Sequence, residues 1–192
     1  MLIAVNMVLR VTEDCITLFK IRKNGQMMLN IILVMIVAFV LAFFPPVVLC
    51  IYGANSITAE IFFRTWAWHW LCICCFGIIV MTFVTVLGPG LGMALHTLFL
   101  FLNVMASPAF TPWELMYDPL RFGIALPFQN GVEGVRFALF GSYSSVLPRC
   151  LGVNFGWIGL CFILMLWNAT RESAGKKTNG RTEQSQIQKE LS

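Results

Sequence analysis

Charge is what this sequence has least of. Of its 192 residues, 13 are Lys or Arg and nine are Asp or Glu, with two histidines beside them. A supply so thin and scattered excludes a nucleic-acid surface, which needs Lys and Arg gathered on one face. The charges are also displaced to the ends: six lie in residues 10–23 and eight in residues 171–190. Catalytic signatures are missing as well. No GxxxxGK[ST] loop occurs, so the chain has no means of its own to hydrolyse a nucleotide. No Ser, His and Asp constellation stands out and no paired carboxylates fall within an apolar run, so the reading is that of a protein that is not an enzyme. The opening MLIAVNMVLR has neither a basic start nor a small-residue cleavage site, which argues against a secretory signal.

What the chain has in plenty is apolar surface, 58% of its residues. That is the composition of a membrane protein. Most of the seven cysteines (Cys50, Cys72, Cys74, Cys75 and Cys161) lie inside apolar runs, where they act as small hydrophobes. No disulfide framework is therefore expected. His69, Cys72 and Cys75 recur at intervals of three, with His96 further on, but cysteine inside a span packs as a small hydrophobe and the Trp-flanked His69 reads as interfacial. No metal or cofactor is expected.

A span needs about 20 mostly apolar residues. Four stretches qualify, at about residues 29–53, 65–88, 91–107 and 150–167. The expected fold is an all-α polytopic membrane protein with four transmembrane helices and a short amphipathic or re-entrant helical segment before the last span. Pro45-Pro46 should kink the first span, and neighbouring helices must then satisfy the freed carbonyls. Residues 54–64 read as a short polar connection, and the WAWHW run that follows reads as an interfacial aromatic belt. Gly88-Pro89-Gly90 breaks the helix with almost no loop, so the second and third spans form a tight hairpin.

The remaining segments sort by polarity. Residues 1–28 form an amphipathic segment on the cytoplasmic side, 29–168 the membrane domain, and 169–192 a polar tail expected to be disordered. Lys20, Arg22 and Lys23 flank the first span, and Arg171, Lys176 and Lys177 follow the last. By the positive-inside rule both termini are cytoplasmic and residues 108–149 lie on the outer face. Asn168-Ala169-Thr170 is a glycosylation sequon that this topology leaves unmodified.

The outer-face segment contains TPWELMYDPLRFGIALPFQNGVEGVRFALFG, residues 111–141, with three prolines, four glycines and charges of both signs. Thr111-Pro112-Trp113-Glu114 and Asn130-Gly131-Val132-Glu133 both have the form of capping boxes. Phe128, Val132, Val135 and Leu139 recur at helical spacing, with Glu133 and Arg136 on the other side and able to pair. The residues alone leave two readings open, a surface helix that merely connects two spans and a re-entrant element that caps a cavity. His96 adds a second point of interest, because an ionisable group inside a span is costly and is a functional hypothesis by default. The plainer alternative is a neutral histidine bonded to a neighbouring helix.

The order of these features resembles a family, the fungal nitrosoguanidine-resistance proteins, whose membrane region is similar to the type-2 permeases of ABC exporters and to bacterial phage-infection proteins. The resemblance runs from about Phe63 to Leu160. It rests on WAWHW, the GPG break, the stretch just quoted and LGVNFGWIGL. Gly123, Ala125, Pro127 and Asn130 match one motif, Arg136 the single arginine of the next helix, and Gly152, Asn154, Phe155 and Gly156 the start of the last. The resemblance implies a six-span protein with a large external domain after the first span, of which this chain would hold the C-terminal membrane part. The segment 142–150 is longer than the family's link. The resemblance also implies a plasma-membrane, permease-like role in translocating lipids or amphipathic toxic compounds, as in multidrug resistance. It supplies no catalytic residues. Asn130, Glu133, Arg136, His96 and Asn154 are the candidate functional residues, and the lipid bilayer, a second copy of the chain and a partner ATPase are the partners. A non-transporting scaffold or regulator, or a truncated nonfunctional relative, are the rival readings.

Overall fold

The computed structural model describes residues 23–52, 57–107, 118–141 and 144–190. The reading of residues 1–22 and the first capping box, 111–114, fall outside them. Among the described residues the chain is all helical, with no strand. The helices are α1 (Lys23–Leu41), α2 (Phe44–Tyr52), α3 (Ala59–Leu87), α4 (Pro89–Met105), α5 (Pro127–Phe140) and α6 (Leu147–Glu190); a 3-10 segment, Asp118–Ala125, leads into α5.

Among the described residues, three stretches are long and apolar enough to cross a membrane: Met28–Tyr52, Ala59–Leu87 and Leu147–Arg171. Pro89–Met105 is a shorter apolar helix of 17 residues. The expected polar connection at 54–64 is thus partly helix, since α3 already starts at Ala59. Thr58 caps it by accepting from the Ile61 N–H at 3.4 Å, and Glu60 pairs with Arg64 one turn on. At the other end α6 carries helix to Glu190, through the tail expected to be disordered. Residues 171–190 contain no proline and many good helix formers, Glu, Gln, Lys and Arg among them.

α3 is the centre of the bundle and packs against α6, α4, α5 and α1. Its middle, Cys74 to Thr82, is buried throughout. α1 runs antiparallel to it, with Val34 against Gly77 and Met81 at one level and Phe43 against Phe62 nearer the start of α3. α6 runs parallel to it: Cys150 packs near Trp68, the Cys75 thiol faces the Asn154 carbonyl, and Asn168 reaches the Thr85 carbonyl at 3.1 Å. The start of α1, the Gly88 turn and Arg171 therefore share one end of the bundle.

The expected kink is present. Pro45 and Pro46 bring no N–H, and helix breaks at Ala42–Phe43. Phe43 bonds the Val40 carbonyl, three residues back, which leaves the Phe39 carbonyl without its usual donor. The Trp66 indole N–H supplies one at 3.3 Å, and Trp70 reaches the Met35 carbonyl at 3.3 Å. Phe39 packs edge-on between the two rings. These tryptophans therefore hold α1, and Trp68 turns inward and is buried, so WAWHW is a docking element for α1. The hairpin holds as expected: Gly88 sits at φ 82°, and Gly92 brings α4 so close to Phe83 and Val84 that a Cβ would meet backbone.

Candidate functional site

Depth along α3 is the coordinate that organises the site. Phe128, in the first turn of α5, packs edge-on against Phe76 with ring centroids 6.3 Å apart. Phe76 lies 17 residues into α3, about 26 Å from its start. From there α5 runs back toward that start: a Cβ on Gly131 would stand 2.7 Å from the Cys72 Sγ, and one on Gly134 2.5 Å from the Trp68 ring. α4 comes up from the opposite end and meets the start of α5 where Asn103 Oδ1 accepts the Phe128 N–H at 3.3 Å. Two partial helices, α4 and α5, thus divide the depth that α3 covers alone.

The residues that α5 buries fully are Pro127, Gln129, Asn130, Gly131, Gly134 and Ala138, while the stripe of Phe128, Val132, Val135 and Leu139 is half-buried. Small residues let the backbones approach, which is how helices associate where lipid already satisfies large apolar side chains. The second capping box is also replaced. The N-cap is Leu126 and Pro127 opens the helix, which puts Asn130 one turn inside. Its Nδ2 donates to the carbonyls of Ile124 and Leu126, each at 2.8 Å. Glu133 pairs with Arg149, at the start of α6, at 2.6 Å.

The result is a polar centre within the apolar bundle. Asn103, Gln129, Asn130 and Asn154 are all at most 2% exposed. The Trp157 indole donates to the Ala125 carbonyl at 2.8 Å, which ties the 3-10 segment to α6. Three carboxamide oxygens, Gln129 Oε1, Asn130 Oδ1 and Asn154 Oδ1, are buried and have no hydrogen-bond partner among the described residues. Each such group costs about 1–3 kcal/mol, and a fold retains a cost of that kind where the groups serve something else.

The five sequence candidates separate by this geometry. Asn130 and Asn154 belong to the buried centre. Glu133 forms the outer latch between α5 and α6, and Arg136 lies exposed on α5. His96 is buried on α4 near Phe83, and its Nδ1 has no partner among the described residues. It stands seven residues from Asn103, about 10 Å along the helix, and so belongs to the Gly88 end. Asn103, Gln129 and Trp157 are additional. Asn103 was detectable as the one carboxamide in an otherwise apolar helix, and Gln129 as the neighbour of Asn130.

By length and composition, the three long apolar helices and the shorter one nested against them make a multi-pass membrane helix bundle. Residues 2–163 match the family described as protein of unknown function DUF3533, and the chain belongs to that family. No curated protein and no solved structure matches it.

Proposed function

We propose that the protein is a four-span, permease-like membrane protein that translocates lipids or amphipathic toxic compounds. One observation carries the reading: α5 begins deep in the bundle, at the level of Phe76, beside buried carboxamides. Discontinuous helices whose ends meet at mid-depth are how transporters place irregular backbone and polar groups where a substrate passes. In this reading Pro89–Met105 counts as the third span, since 17 residues are at the lower limit of crossing length, and α5 is a re-entrant half-helix entering from the outer face. Lys23 and Arg171 at one end of the bundle favour cytoplasmic termini, and the plasma membrane follows from the resemblance to the nitrosoguanidine-resistance proteins. Energy comes from a partner ATPase or an ion gradient, and a second copy of the chain completes the path.

The test is reconstitution. Vesicles holding the chain should move a fluorescent lipid or amphipathic drug faster than empty vesicles, and Asn130→Ala should abolish the difference. Wild-type movement no faster than that of empty vesicles contradicts the proposal and leaves the scaffold reading.

A further inference from the structure

The first turn of α5 leaves a one-sided inventory of hydrogen-bonding groups. Both Nδ2 bonds of Asn130 go to carbonyls, and the Trp157 indole N–H goes to a third. Pro127 brings no N–H, and that of Phe128 is taken by Asn103. What stays buried without a partner among the described residues is oxygen: Gln129 Oε1 and Asn130 Oδ1, on side chains 2% and 0% exposed. The Gln129 oxygen turns back toward the 3-10 segment and lies 2.8 Å from where a Cβ on Gly123 would stand. Any side chain at that position would meet both this oxygen and the Ala106 backbone carbonyl, so only glycine fits beside it.

Charge narrows the class of ligand. The buried polar residues among those described include no carboxylate, so nothing there balances a desolvated cation. The positive end of the α5 macrodipole disfavours a cation further. An anion would face two unpartnered carboxamide oxygens, which repel it. A neutral group that donates N–H or O–H avoids both penalties and supplies what the oxygens lack.

We infer that the first turn of α5 is a head-group site for uncharged hydrogen-bond donors, primary amides or alcohols on an apolar tail, with Gln129 Oε1 and Asn130 Oδ1 as the acceptors. The inference rests on the translocation reading and names the substrate class of that same site.

Thermal unfolding of the full chain in lipid nanodiscs tests it without measuring transport. The probes are decanamide, N,N-dimethyldecanamide, decyltrimethylammonium and decyl phosphate. Decanamide is expected to raise the unfolding midpoint, and the other three, which share its tail, are not. Gln129→Met keeps the side-chain length and removes the oxygen, and should weaken the decanamide response at least about 10-fold, the scale of one lost hydrogen bond. Gln129→Glu, a second variant should the first not fold, keeps an acceptor oxygen and adds a negative charge, and should gain a response to decyltrimethylammonium. An equal response to decanamide and its dimethyl derivative overturns the inference, as does an undiminished decanamide response in Gln129→Met or an absent decyltrimethylammonium response in Gln129→Glu. Decanamide binding that survives while vesicles show no transport sinks the translocation reading and leaves the site standing.

Discussion

Proline interrupts this bundle at two places, and the two are finished differently. At Pro45-Pro46 the break frees the Phe39 carbonyl, and the Trp66 indole answers it. At Pro127 the carbonyls of Ile124, Ala125 and Leu126 are answered just as fully, by Asn130 and Trp157. Two of those three bonds come from one carboxamide, however, and a carboxamide that spends its donors keeps an oxygen. An indole has a donor and no acceptor, so Trp66 keeps no polar atom of its own in surplus. The α5 entry closes with Gln129 and Asn130 oxygens in surplus. The first is a structural joint, and the second has the residual polarity that a binding site needs.

Substitutions at the two breaks should separate them. The largest effect is expected from Gly123→Ala, whose Cβ would run into the Ala106 backbone carbonyl and against Gln129. Backbone cannot swing aside as a side chain can, so a loss of about 3 kcal/mol or more is expected, seen as a collapse of the monodisperse, folded fraction in detergent. Asn130→Leu removes two donated bonds and takes from the Ile124 carbonyl its side-chain donor, at about 2–3 kcal/mol, read as a lower unfolding midpoint. Trp66→Phe at the kink keeps most of the ring and forfeits one bond, for about 1 kcal/mol. If Trp66→Phe proves as damaging as Asn130→Leu, the contrast between joint and site fails. Glu133→Gln weakens the partly exposed pair with Arg149 and should cost less than about 1 kcal/mol, with high salt producing a similar change in the wild type. Smallest of all, deglycosylation should leave the mobility of the cell-expressed protein unchanged, because the Asn168 side-chain nitrogen that a glycan would take donates to Thr85 at the Gly88 end.

Three of the four expected spans, the kink and the hairpin were legible in the sequence because each follows from a single-chain rule: apolar length, a missing N–H, a glycine–proline turn. The role of the tryptophans was not, since a Trp cluster near a span end suits a lipid interface and a helix contact equally well, and only the position of the Phe39 carbonyl decides. The Asn130–Glu133 capping box misleads for a related reason. Pro127, three residues earlier, is the stronger start, because its fixed φ and absent N–H suit the first helical position, and Asn130 is then free to reach back. Hydrophobic periodicity found only part of the packed face of α5: Phe128 and Val135 do lie against the bundle, but Gly131, Gly134 and Ala138, which mark the closest contact, carry no apolar signal large enough to be read. Asn130 and Asn154 were legible as polar residues in the wrong place. Their distance from His96 was not, because it depends on where α5 enters.

The depth of that entry is the central claim, and spin-label accessibility in liposomes measures it directly. Labels placed singly at positions 76, 128 and 140, in a chain whose native cysteines are replaced by alanine or serine, report depth by their relative exposure to oxygen and to a water-soluble nickel complex. The account predicts that position 128 is as deep as position 76 and that position 140 lies near the aqueous face. Positions 128 and 140 at one shallow depth would make α5 a surface helix and contradict it.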